Sequence, residues 1–184
     1  MSYWQQNGKR KPAVFLDRDG VLTEEESYIT SIEYLHVFPY AAECVRKIHE
    51  KGYYAIVVTN QSGVARGLFT EEKLREMNDY LIRQTGVDAV YYCPHYPDGK
   101  IEKYRKACHC RKPDTGMFEA ACREFEIDMG NSYMVGDRAG DILAGQNVGI
   151  KTVLVESGYG TARMECEIVA DYILGDLKDV VEIL

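Results

Sequence analysis

Short apolar runs alternate along the chain with longer stretches in which apolar positions return every three or four residues. Ala13 to Leu16, Tyr53 to Val58, Val87 to Tyr92, Ser132 to Val135 and Ile150 to Val155 have the length and the side chains of strands, and Tyr172 to Leu174 is a shorter one. The polar pair Thr59-Asn60 closes the second run. Between the runs, Cys44, Val45 and Ile48 share one helical face, as do Leu74, Met77 and Leu81, and Phe118, Ala121, Cys122 and Phe125. Such stripes face a core, which makes Cys44 and Cys122 buried small hydrophobes. The alternation predicts one α/β domain, a doubly wound parallel sheet with helices on both faces and right-handed crossovers. One stretch breaks the pattern. Cys93 to Asp114 is too long for an ordinary connection and is dense in Cys, His, Pro and Lys.

The 184 residues suit a single domain with a full core. A net charge of −7 provides no excess of cations to displace counterions, which argues against general nucleic-acid binding. Any anionic ligand must be held by a few local cations or a metal. No apolar stretch approaches the roughly 20 residues that span a bilayer, and Met1 to Lys11 lacks the apolar core of a secretory signal. The expected division is a polar, solvated arm over 1–12 and a domain over 13–184. A cytoplasmic protein follows, so the six cysteines are thiols or metal ligands rather than disulfides. A monomer is the default expectation.

Candidate chemistry sits at the predicted strand ends, where an open parallel sheet gathers its ligands. Asp17 and Asp19 follow the first strand, with Gly20 breaking it. A carboxylate with a reference pKa of about 3.9 is ionised at neutral pH and can serve as metal ligand or nucleophile. Thr59-Asn60-Gln61-Ser62-Gly63 follows the second strand, Arg111-Lys112-Pro113 precedes the helix of Phe118, and Gly136-Asp137-Arg138 follows the fourth strand. Asp141 stands four beyond Asp137 in the fourth group; each group alone has a plain explanation as a turn or a cap, the two carboxylates as a helix start and a solvated face. The ordered set of four is what carries weight. In the irregular stretch, Cys93-Pro94-His95 and Cys108-His109-Cys110 are two chelating pairs within 18 positions. Three thiols and one imidazole make a closed tetrahedral set of the structural zinc type, with His109 competing with His95 for the fourth position.

The phrases Phe-Leu-Asp-Arg-Asp-Gly-Val from Phe15, Val-Thr-Asn-Gln-Ser-Gly-Val-Ala-Arg-Gly from Val58, Cys-Arg-Lys-Pro from Cys110 and Val-Gly-Asp from Val135 carry a family resemblance over nearly the whole chain. The chain resembles the haloacid dehalogenase (HAD) superfamily, whose four motifs match these segments in order. It is most similar to the branch of heptose bisphosphate and histidinol-phosphate phosphatases. The resemblance implies a Rossmann-like HAD-type domain and Mg²⁺-dependent hydrolysis of a phosphomonoester. Asp17 would be the nucleophile that becomes an aspartyl phosphate, and Asp19 the general acid and base. Thr59 and Lys112 would stabilise the transferring phosphoryl group. Asp17, Asp137 and the backbone carbonyl of Asp19 would hold Mg²⁺. It also implies a structural zinc on Cys93, His95, Cys108 and Cys110.

Asp19 and Thr59 are 40 positions apart, and neither that interval nor the one from Thr59 to Lys112 has room for a folded cap. Recognition would then fall to loops. The candidates are Glu25, Tyr28, Asn60, Gln61, Ser62, Arg66, Arg111 and Lys112, with Arg111 suited to a second phosphate. The leading expectation is removal of the 7-phosphate of D-glycero-D-manno-heptose 1,7-bisphosphate. Histidinol phosphate is kept open by the acidic run Glu24-Glu25-Glu26, and a non-catalytic zinc-loop binding module is the reading of another class. Thr23, Tyr40 and Asp114-Thr115 depart from the usual family pattern, with Thr23 and Asp114 expected near the mouth of the site.

Overall fold

Strand β1, Ala13–Leu16, is wholly buried and lies near the middle of a six-stranded parallel sheet. The computed structural model describes residues 10–163 and 169–184. The remaining strands are β2 (Tyr54–Asn60), β3 (Ala89–Cys93), β4 (Tyr133–Gly136), β5 (Lys151–Val155) and β6 (Tyr172–Leu174), in the order β3-β2-β1-β4-β5-β6. The register sets Leu16 beside Val57 on one side and Val135 on the other. The chain winds outward from β1 to β3 and then returns to place β4 against β1. That reversal opens a crevice at the carboxyl ends of β1 and β4, the ligand position of a doubly wound sheet.

Both faces of the sheet are covered. Val14 and Leu16 point to a core shared with α1 (Ala41–Glu50), α2 (Glu71–Thr85) and α5 (Leu177–Ile183). Ala13 and Phe15 point to the opposite core, covered by α3 (Gly116–Glu124) and α4 (Ala139–Asn147). This is the period-two alternation of a strand, here apolar on both faces because both are buried. Local signals agree with the helix ends. The Thr70 hydroxyl caps α2 by accepting from the Lys73 amide at 3.2 Å, and Gly86 ends it at φ +77°, a left-handed conformation suited to glycine.

Several boundaries move. Thr59 and Asn60 are the last two residues of β2, paired with Tyr92 and Cys93, rather than a stop after it. Val87 and Asp88 precede β3, because the Asp88 carboxylate accepts from the Ala55 amide at 2.7 Å. Ser132 precedes β4, and its hydroxyl accepts from the Ala13 amide at 2.9 Å. Cys122 is only partly buried and Phe125 lies beyond the end of α3, whereas Met117 joins its core face. Of the expected arm, residues 1–9 lie outside the described residues. Lys11 pairs with Ile127 and its ammonium lies 4.3 Å over the Tyr54 ring, so the inner end of that segment is anchored. Among the described residues no helix is long and apolar enough to cross a membrane.

Candidate active site

The carboxyl ends of β1, β2 and β4 and the turn before α3 meet at one centre. Asp17 continues β1, its amide donating to the Val135 carbonyl at 2.9 Å, so the sheet ladder itself aims the side chain. Lys112 enters from the turn ahead of α3. Its ammonium lies 3.0 Å from Asp17 Oδ1 and 2.7 Å from Asp141 Oδ1, and donates to the Val58 carbonyl at 2.6 Å. Asp141 is buried at the site with the rest of its group rather than on a solvated face, its other oxygen accepting from the Arg138 amide at 3.1 Å and capping α4. Asp137, fully buried, accepts from the Tyr159 amide at 2.8 Å. Gly158 packs so closely on this carboxylate that an added Cβ would lie 2.1 Å from Asp137 Oδ2.

Acceptor atoms of Asp17, Asp137 and Asp141 lie within 4.8 Å of one another, with one ammonium among them. Three carboxylates face the Lys112 ammonium and, more distantly, Arg138, whose Nε is 3.8 Å from Asp137 Oδ1. A negative excess remains in this buried cluster, and Asp137 Oδ1 has no hydrogen-bond partner among the described residues. Burial, and then the neighbouring carboxylates, push Asp17 up to about 6 and Asp137 up to about 8. Burial alone would lower Lys112, but Asp141 and Asp17 together outweigh it and raise its pKa. A hard divalent cation on Asp17 and Asp137 fits this donor set, since it supplies the missing positive charge and takes oxygen ligands.

Asp19 is held differently. Arg18, fully buried beside it, donates from Nε to Oδ1 at 2.8 Å and from Nη2 to Oδ2 at 3.0 Å. Thr23 donates to Oδ1 at 3.1 Å and Gln61 to Oδ2 at 3.0 Å. Burial favours the neutral acid, yet the Arg18 charge and these bonds prevail and hold the carboxyl below its usual range. Thr23 is therefore buried beneath Asp19 rather than placed at the mouth, and neither it nor Asp114 lines the cleft.

A cleft of about 280 Å³ opens over these groups. All the expected recognition residues except Arg66 line it: Glu25, Tyr28, Asn60, Gln61, Ser62, Arg111 and Lys112, together with the catalytic candidates Asp17, Asp19 and Thr59. Several of them are already engaged. Asn60 bonds both ends of the Lys112 backbone, donating to its carbonyl and accepting from its amide at 3.0 Å each, which seats the lysine. Gln61 spans Asp19 and the Thr59 hydroxyl, 3.0 Å from each. Glu25 is tied to Arg138 at 2.8 Å. Arg138 and Arg18 lie inside the sequence motifs and Asp141 just beyond one, but a polar residue at such a place gives no sign of burial or partner. The signal for Asp141 was its spacing from Asp137.

The two chelating pairs converge. Cys93, His95, Cys108 and Cys110 place one ligand atom each within 4.8 Å of the others. His95 Nδ1 is 3.4 Å from Cys110 Sγ and 3.7 Å from Cys93 Sγ. His109 turns outward to Glu119 at 2.8 Å, which excludes it from the cluster. Of the His95 and Cys110 neighbours on the chain, Arg111 lines the cleft, and its guanidinium lies 5.1 Å over the Tyr96 ring.

The HAD-hydrolase-like family model matches residues 109–180. A protein of Haemophilus ducreyi named D-glycero-beta-D-manno-heptose-1,7-bisphosphate 7-phosphatase is 42% identical over 93% of this chain and 97% of its own length. One of Photorhabdus laumondii, named for the alpha anomer, is 41% identical over 86% and 89%. Among solved structures, the D,D-heptose 1,7-bisphosphate phosphatase of B. bronchiseptica, complexed with magnesium and phosphate, superposes with a TM-score of 0.79. It is 31% identical, over 93% of this chain and 96% of that one.

Proposed function

The chain belongs to the HAD-like hydrolases, among the heptose-1,7-bisphosphate 7-phosphatases, and is a phosphatase; from that premise we propose that it removes the 7-phosphate of D-glycero-D-manno-heptose 1,7-bisphosphate. Asp17 attacks phosphorus and becomes an aspartyl phosphate, dividing one hard displacement into two easier ones. Asp19 gives a proton to the leaving oxygen and later takes one from the attacking water, held in place by Arg18, Thr23 and Gln61. The Thr59 hydroxyl and the Lys112 ammonium meet the charge that develops on the phosphoryl oxygens. Asp141 orients Lys112. Asp17, Asp137 and the carbonyl of Asp19 are the groups that would hold Mg²⁺. When bound it would neutralise phosphoryl charge and align phosphorus with Asp17. The Cys93, His95, Cys108 and Cys110 set suits a structural zinc, because four protein ligands fill a tetrahedral shell. A cytoplasmic monomer that keeps these thiols reduced completes the proposal.

The observation that carries the bisphosphate reading is unpaired positive charge: Arg111 lines the cleft, and Arg66, which does not line it, lies 5.9 Å from the ring of the cleft residue Tyr28. Arg111 and Arg66 lie 5.1 and 4.2 Å over the same Tyr96 ring, and neither has an ion-pair partner among the described residues. A second phosphate fits that pair; of the acidic run expected to receive an amine, Glu25 is neutralised by Arg138, while Glu26 also lines the cleft. Phosphate release with Mg²⁺ from the heptose bisphosphate, fructose 1,6-bisphosphate and histidinol phosphate tests this. A preference of about a hundredfold in kcat/KM for the heptose, roughly 2.7 kcal/mol of transition-state binding, is expected. A flat profile would move the substrate elsewhere.

A further inference from the structure

Two like charges gathered at one side chain need something attractive close to both. Arg66 and Arg111 come from different loops, and both guanidinium groups rest over Tyr96. Hydrogen bonds do little to hold them there. Arg66 Nε is buried with no partner, and the Arg111 side chain makes one long bond, from Nη1 to the His95 carbonyl at 3.4 Å. The negative face of an aromatic ring attracts a cation within about 6 Å of its centroid. A carboxylate in this position would attract both arginines more strongly, but it would cancel their charge and repel an anion. A neutral ring holds the pair and leaves its charge available.

We propose that Tyr96 is a positioning residue for the second phosphate of the substrate, holding Arg66 and Arg111 together as an anion-recognising pair. The inference rests on the bisphosphate reading above and extends it to a residue that no sequence motif marks. Backbone geometry gives Tyr96 a firm base. Its amide donates to the Tyr104 carbonyl at 3.1 Å, its carbonyl accepts from Gly99 at 3.0 Å, and Ile101 donates to the Ala65 carbonyl at 2.9 Å. The last bond ties the loop of Tyr96 to the loop of Arg66. Tyr96 follows His95 and Arg111 follows Cys110, so two members of the trio stand one residue from the cysteine–histidine cluster. The exposed Tyr28 ring, 5.9 Å from the Arg66 guanidinium, borders the same side of the cleft.

The test is the ratio of kcat/KM for heptose 1,7-bisphosphate to that for heptose 7-phosphate, in wild type, Tyr96→Leu and Tyr96→Phe. Tyr96→Leu should lower the ratio about tenfold, the loss expected of two exposed cation–π contacts, and mainly through KM. Tyr96→Phe keeps a ring face and should retain the wild-type ratio. Tyr96→Met substitutes for a leucine variant that fails to fold. In a cycle with Arg66→Met the two losses should combine to less than their product, since both changes break one contact. A wild-type ratio in Tyr96→Leu, an equal loss in Tyr96→Phe, or fully multiplicative losses would each overturn the role of the ring. A wild-type enzyme with no preference for the bisphosphate would overturn the substrate reading, and this inference with it.

Discussion

Replacing Asp137 by asparagine should stabilise the protein in magnesium-free buffer while abolishing its activity. Asparagine keeps the shape and can still accept from the Tyr159 amide, but it removes one of three carboxylates whose oxygens lie within 4.8 Å of one another. Two like charges at that distance repel by about 3 kcal/mol at an effective dielectric constant of 20. For a domain of this length that is roughly 6–12 °C in melting temperature. The sign depends on pH. The folded pKa of Asp137 is raised, chiefly by burial, from 3.8 to about 8, so the folded state binds a proton that the unfolded chain releases. The wild type therefore loses stability as pH rises from about 4 to 8, and the variant lacks that contribution. The variant's advantage should be smallest near pH 5, grow toward pH 8 and then level off. Thermal unfolding of both proteins across that range, with phosphate release measured alongside, reads the effect. An advantage that is absent at pH 8.5, or that shrinks as pH rises, would refute the reasoning. So would a variant that keeps turnover with magnesium.

Asp17→Asn should fold and yet lose essentially all phosphate release, since a neutral amide does not form the acyl phosphate; unchanged turnover would end the proposed mechanism. Asn60→Ala leaves both backbone groups of Lys112 without their partners, at a cost of about 1–3 kcal/mol in denaturant unfolding. Its kcat should fall toward the roughly hundredfold loss that a misplacement of about 1 Å brings, and a wild-type kcat would show that Asn60 does not seat the lysine. Cys110→Ser should lower bound zinc, read by elemental analysis, and speed amide exchange over residues 96–106. Full metal retention with unchanged exchange would place the cluster outside the loop's folding.

The central parts of the fold were legible because strand and helix periodicities differ and both faces of this sheet are buried. Ala13–Leu16 and Tyr172–Leu174 fall where the apolar runs put them. Other ends were misplaced wherever a side chain decided the boundary. Asp88 and Ser132 bond backbone amides in place of the ladder, and nothing local signals such a partner at a distance of 33 or 119 residues. Asn60 and Gln61 were correctly placed at the cleft, but their amides serve Lys112, Asp19 and Thr59. Thr23 was expected at the mouth and is buried under Asp19. In each case residue type and strand-end position were visible, while the direction of a polar side chain was not.

The sequence by itself determined the reaction class, through motifs that match a phosphatase family in order, and with it the candidates for nucleophile, acid, phosphoryl clamp and metal carboxylate. Those positions are set by short-range connectivity, and a doubly wound topology carries them to one rim. Only the tertiary structure decided which histidine joins the thiols, which carboxylate fixes Lys112, and which ring gathers Arg66 and Arg111. These are matters of charge balance and close approach between loops distant in sequence. Their energies depend on burial and on separations of a few ångströms, which exist only once the sheet has brought the loops together.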